Sequence, residues 1–250
     1  GVTSALSHAL SPGGGSAWLV MRQSVRGQWQ GAALRISGNF DSGVQAGRFH
    51  PIDGHLYATG MQGWGSYTPL DGCFQRVRFT PGTTPVPVAF EARGNGVLLR
   101  FDGPLEAASA GIASNHFAQC WDYRYSAAYG SPEYSIRYPD TPGHDPLEIR
   151  SAHVLDGGKS LFLEIPQLVP AGQVHLHFRV SRQKAHDLFL TAHALAEDFT
   201  GFPGYQSISK TAVSPHAGHH HTSADETKLA PVPWESGQHG RPLLIEAATG

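Results

Sequence analysis

Residues 43–80 read GVQAGRFHPIDGHLYATGMQGWGSYTPLDGCFQRVRFT, a run of short strand patterns separated by turns. Phe49-His50-Pro51 leads into the turn Ile52-Asp53-Gly54. His55-Leu56-Tyr57-Ala58-Thr59 alternates and carries aromatic and β-branched residues, the composition of a strand. Gly60 to Gly65 is a Gly/Trp-rich connection, and Leu70-Asp71-Gly72 is a second turn. Phe74 to Phe79 then alternates, with Phe74, Arg76 and Arg78 on one face and Gln75, Val77 and Phe79 on the other. Asp-Gly stands twice directly before a strand pattern, the strongest hairpin signal in the chain, because glycine supplies the positive φ that tight turns require.

The remainder extends this β pattern in both directions. Residues 1–17 are small, Gly-rich and Ser-rich, and read as a flexible lead-in. Trp18 to Arg22 and Ala32 to Ile36 read as strands, so residues 18–80 are expected to form one antiparallel sheet. Pro81-Gly82-Thr83-Thr84-Pro85 is the best domain boundary. Beyond it, residues 86–198 hold a succession of short strands with turns about every 8 to 12 residues, the signature of an immunoglobulin-like β-sandwich. Phe117 to Tyr125 (FAQCWDYRY) puts Phe117, Gln119, Trp121, Tyr123 and Tyr125 on one face and reads as a core strand. Asp156-Gly157-Gly158 marks a hairpin, and Gln173 to Val180 (QVHLHFRV) alternates cleanly. Trp121, Tyr123, Phe162, Leu163, Leu176 and Phe178 are the expected core. Residues 199–250 read as a loop-rich tail with a His cluster and a terminal strand, Arg241 to Thr249.

Composition narrows the function classes. The 250 residues are 40% hydrophobic and 15% charged, with 30 Gly and 18 Pro spread as single punctuators, which suits many strands and turns. The net charge is −2 and no basic stripe occurs, so a nucleic-acid partner is not expected. No apolar run approaches the ~18 residues of a membrane span. Gly1 reads as a processed terminus or the start of a fragment. Cys73 and Cys120 suit either one bridge in an oxidising compartment or two free thiols, and the absence of CxxCH excludes a covalently held c-type haem.

GRFHPIDGHLYATGMQGWG followed by DGCFQRVRFT resembles the closing blade of the propeller in soluble sugar-dehydrogenase-like proteins. It is most similar to large secreted bacterial members, in which an all-β region and a copper or haem electron-transfer module follow. The resemblance spans roughly residues 20 to 215. It implies a propeller-blade-like sheet over 18–80, although a blade takes roughly 40 to 45 residues and several are needed to close a ring. It further implies a periplasmic or extracellular location and partner chains of propeller, cytochrome or cupredoxin type. Arg241 to Thr249 resembles the opening strand of a cupredoxin, and Pro215-His216 resembles a Pro-His element of these relatives. Arg48, His50, Trp64 and Tyr67 would lie near a sugar- and quinone-binding end, with pyrroloquinoline quinone (PQQ) held only if partner blades complete the pocket.

Other residues carry chemistry by type. His216, His219, His220 and His221 form a tract able to hold copper or zinc. His175 and His177 share one strand face, either as a ligand pair or as the solvated side of a sandwich strand. His144-Asp145 and His186-Asp187 repeat a pair found behind metal ligands and general bases, and also in plain turn contacts. Glu133, Glu148 and Glu164 have no spacing that defines a glycosidase pair. No nucleophile elbow, Walker loop, GxGxxG unit or HExxH occurs. The expected function is a non-catalytic docking module of a secreted electron-transfer protein. The alternatives are a share in a quinone-dependent sugar-oxidising site and metal binding through the His tract.

Overall fold

The computed structural model describes residues 3–7, 15–36, 38, 40–62, 70–78, 84–124, 130–207 and 210. The chain is all-β. Its strands are β1 (Thr3–Ser7), β2 (Ser16–Val25), β3 (Gln28–Arg35), β4 (Val44–Phe49), β5 (Leu56–Met61), β6 (Gly72–Val77), β7 (Pro87–Arg93) and β8 (Gly96–Phe101). They continue with β9 (Phe117–Tyr123), β10 (Glu133–Tyr134), β11 (Asp145–Leu147), β12 (Ser151–Leu155), β13 (Ser160–Glu164), β14 (Ala171–Arg179) and β15 (Ala185–Ala192). Among the described residues, the pairings between these strands are antiparallel and no sheet closes on itself.

An eight-stranded sheet runs β1-β2-β3-β15-β14-β9-β10, with β11 also on β9, and a four-stranded sheet runs β12-β13-β8-β7. One apolar core lies between them. Alternation on β14 sends Val174, Leu176 and Phe178 inward, each fully buried. Register carries that face across the sheet. Ala118, Leu176, Leu188 and Leu34 are successive partners, and all are buried. The facing sheet presents Val97, Leu99, Leu161 and Leu163, and Phe101 meets Phe178 edge-on at 6.0 Å. Each large apolar side chain so buried contributes on the order of 1.5 to 3 kcal/mol.

The single sheet expected over 18–80 divides in two. β2 and β3 join the large sheet through Leu34↔Leu188, because Met21, Ala32 and Leu34 face its core. Only β4, β5 and β6 remain as a separate three-stranded sheet. The linker around Pro81 therefore separates strands in sequence without separating the sheet that β3 shares with β15.

The aromatic face of β9 is also corrected. Ala118 and Cys120 face the core, so Phe117 and Tyr123 turn outward and are 45% and 40% exposed. Trp121 is buried on that outer side, beneath the His144 ring at 3.9 Å. The hairpin from β12 to β13 turns through Asp156, Gly157 and Gly158, all at positive φ. On the outer face of the four-stranded sheet, Phe199, Phe202 and Tyr205 cover Leu98 and Phe162. Asn95 pins this segment by exchanging hydrogen bonds with the Phe199 backbone, both at 2.8 Å.

Leu176→Ala is expected to lower the unfolding free energy by about 2 to 5 kcal/mol, whereas a change at exposed Phe74 should stay within about 0.5 kcal/mol. Urea melts of both variants check the contrast. A Leu176→Ala midpoint equal to the wild type would refute the shared core.

Candidate binding face

The three-stranded sheet has one covered face and one open face. Val44, Ala58, Cys73 and Val77 pack toward Ala17, Ile36 and Phe40. Gly60 permits a close approach there, since a Cβ on it would stand 2.0 Å from the Gly43 carbonyl. Period-2 alternation then puts the intervening side chains outside. Arg48 lies opposite Tyr57 and Tyr57 opposite Arg76, so two guanidinium side chains flank a phenol ring across three strands. Phe74 lies opposite Thr59, stacks on Tyr57 at 5.8 Å and is 72% exposed.

The turn from β4 to β5 shapes this face. Gly54 takes a φ of 68°, and its N–H donates to the His50 carbonyl at 2.9 Å. Asp53 accepts the His55 backbone N–H and the Tyr57 hydroxyl, both at 2.9 Å. These bonds, the His55 N–H first, hold the Asp53 carboxyl below the ordinary carboxylate value. His50 Nδ1 lies 3.3 Å from Asp53 Oδ1, and its ring meets Tyr57 edge-on at 5.7 Å. The result is an open concavity of about 440 Å³ lined by Arg48, Phe49, His50, Pro51, Tyr57 and Phe74. Arg48 spends one donor on the Gly47 carbonyl, at 2.8 Å. Among the described residues, Arg48, Arg76 and Arg78 have no carboxylate partner.

Of the residues singled out in the sequence, Arg48 and His50 meet in this concavity. Trp64, Tyr67, His216, His219, His220 and His221 lie outside the described residues. Tyr57 and Phe74 complete the face. The alternation grouped Phe74 with Arg76 and Arg78, but only the register of β6 on β5 sets Phe74 beside Tyr57.

In neither His-Asp pair does the histidine bond to its neighbouring aspartate; His186 and Asp187, adjacent on β15, point to opposite faces. His186 is buried and its Nε2–H donates to the Pro85 carbonyl at 3.0 Å, while Asp187 faces outward. There Asp187 Oδ1 accepts from His175 Nε2 at 2.7 Å and from His177 Nδ1 at 3.0 Å. Burial raises its carboxyl, but those two bonds and the nearby imidazoles together bring it below the ordinary value. His175 Nδ1 takes a bond from the Gln119 amide at 3.2 Å, and the ring stacks on Phe189 at 4.6 Å. Asp145 is buried and accepts from Ser135 Oγ and the Ile136 and Arg137 N–H groups, while His144 pairs with Glu133 at 2.6 Å. Glu164 is held by Arg150 and Ser151. Among the described residues no group of three or more His, Cys, Asp and Glu is arranged to hold a metal.

Cys73 and Cys120 do not form the bridge left open by the sequence. Both are free, and they stand in different sheets. Burial pushes the Cys120 thiol up to about 12, with the Asp145 carboxylate adding to it.

Together, the fold and this face define an all-β protein of antiparallel sheets with an open aromatic and cationic surface. No protein-family model, curated protein or solved structure matches the chain.

Native alkylation is expected to label Cys73 and to spare Cys120 until the chain is unfolded, since the thiolate is the nucleophile. Peptide mass mapping reads this directly, and rapid native labelling of Cys120 would contradict its burial. Acid sensitivity follows from His186 and His116, whose burial holds both imidazoles below their ordinary value of 6.5. A depressed pKa favours the neutral ring in the folded state, so this stability is complete above about 6.5 and is lost as pH falls. His186→Gln keeps a donor but removes the titration. Its melting temperature should fall less steeply than the wild type's between about pH 7 and pH 5. Equal slopes would remove His186 as a cause.

Proposed function

We propose that this chain is a non-catalytic recognition module that holds a ligand on the outer face of β4, β5 and β6. It would serve a secreted protein of the electron-transfer kind that its sequence resembles. The observation that carries this reading is Phe74, 72% exposed beside Tyr57 and on the same face as Arg76 and Arg78, which have no carboxylate partner among the described residues. Large aromatic rings left in water mark contact surfaces when they gather with polar groups at a concavity. Asp53, the acid nearest that concavity, is engaged by Tyr57 and His55, which suits positioning the turn better than proton transfer.

Affinity electrophoresis tests the reading. The chain runs through gels that each contain one member of a panel of neutral and charged polysaccharides and polypeptides. Retardation by at least one of them is expected, and Phe74→Ala should reduce it. Retardation indifferent to Phe74→Ala would move the site elsewhere, and no retardation by any member would end the proposal.

A second reading is favoured by the meeting of Arg48 and His50 in one concavity. Partner blades would close that concavity into a quinone-dependent sugar-oxidising pocket. Dye-linked sugar oxidation by the assembled chains should then depend on Arg48 and Trp64. Oxidation unchanged by Trp64→Ala would exclude it.

A further inference from the structure

We infer that the ligand of the β4–β6 face is an acidic polysaccharide, a chain of sugar rings bearing carboxylates. This inference rests on the recognition-module reading and names its ligand class. Three strands about 4.8 Å apart and about six residues long present a face of roughly 14 by 20 Å. That is roughly 280 Å², about a third of the ~800 Å² each partner buries in a stable protein interface. A narrow linear polymer fits such a strip, whereas a folded protein partner would overhang it.

Charge selects the kind of polymer. Arg48, Arg76 and Arg78 lie toward the end of the sheet where Phe49, Leu56 and Val77 pair, and His50 and His55 belong to the turn at that end. Asp53 shares this end, but its oxygens already accept from Tyr57 and His55. Asp71 precedes Gly72, which pairs with Met61 at the opposite end. That end of the face therefore carries three guanidiniums, one of them lining the concavity, against the Asp53 carboxylate, in a chain whose net charge is −2.

Geometry supplies the rest. Arg48, Tyr57 and Arg76 form one row across the three strands, so their two guanidinium-bearing backbones stand about 10 Å apart with a ring between them. A pyranose offers an apolar C–H face that suits the electron-rich face of an aromatic ring. A uronate adds a carboxylate that a guanidinium binds through two parallel N–H bonds. Ring stacking on Tyr57 and its neighbour Phe74, with carboxylates at Arg48 and Arg76, uses every part of the row. An acidic peptide would use the arginines and leave the ring faces without a matching partner.

The test is calorimetric titration of the whole chain with polygalacturonate, its methyl ester and a neutral galactan. The ester keeps the ring and removes the charge. Polygalacturonate should bind, weaken as salt rises, and bind at least about tenfold more tightly than the ester, given the strength of charged hydrogen bonds. Arg48→Ala, Arg76→Ala and Phe74→Ala should each cost about tenfold, while Phe117→Ala on the large sheet should cost nothing. Equal binding of the ester or the galactan would overturn the acidic-ligand inference and keep the recognition face. Phe74-dependent binding of polyglutamate but of no polysaccharide would overturn it in favour of an acidic peptide. Binding of none of these probes would overturn both the inference and the reading beneath it. Because Arg48, Arg76 and Phe74 are exposed, unchanged melting temperatures will separate lost binding from lost folding.

Discussion

The constraint on which the molecule depends is the burial of the Val174, Leu176 and Phe178 row of β14. That strand is paired on both sides, by β9 and by β15, so its parity is imposed on its neighbours. A one-residue slip would put His175 and His177 into the core and Leu176 into water. The same parity decides the chemistry of the opposite face. Because Leu176 points in, His175 and His177 point out. Because Leu188 points in, Asp187 stands where both imidazoles can donate to it.

Polar groups close the seams of the sandwich. Gln23 Oε1 accepts the Ala92 N–H at 2.8 Å and the Gln30 amide at 2.9 Å, tying β2 to β7. Gln30 also exchanges hydrogen bonds with the Ala194 backbone. At the other margin, Glu164 is buried and takes bonds from Arg150 and Ser151. Chiefly through Arg150, its carboxyl stays below the ordinary value despite the cost of desolvation. An unpartnered carboxylate there would be costly to bury.

How much of this was legible in the sequence depends on the range of the interaction. Alternation on β6 and β14 and the Asp-Gly-Gly turn after β12 act within a few residues, and the sequence displays them. The pairing of Leu34 with Leu188 lies beyond any local pattern. A strand with two usable faces does not announce its partner, so β2 and β3 looked like companions of β4 to β6. Likewise the aromatic row of β9 looked like core material, because aromatic rings outweigh Ala118 and Cys120 on any hydrophobic scale. Volume decides otherwise: between two sheets already filled by Leu and Phe, the small residues fit. In the candidate site, Arg48 and His50 were visible as residue types, but Tyr57 and Phe74 needed the register.

The same contrast explains why the small sheet carries the binding face. The outer side of the four-stranded sheet is capped by Phe199, Phe202 and Tyr205, and Asn95 locks that cap in place. On the outer side of β9, β14 and β15, Gln119, His175, His177 and Asp187 satisfy one another. Trp121 is covered by His144. These His, Asp and Gln groups are spent on one another, so a ligand addressing them would have to break bonds in order to form its own. On β4, β5 and β6, Asp53 fixes the turn and the Tyr57 hydroxyl, while Phe74 and the guanidiniums of Arg76 and Arg78 remain turned to water. Only water need be displaced there, and its release from apolar rings favours binding. The Tyr57 and Phe74 rings, stacked on each other and tied through the Tyr57 hydroxyl to Asp53, lose little conformational freedom on binding. The sandwich core thus serves the site indirectly. Ala17 of β2, with Ile36 and Phe40 after β3, supplies the floor on which the small sheet rests, so the large sheet supports the face that meets the ligand.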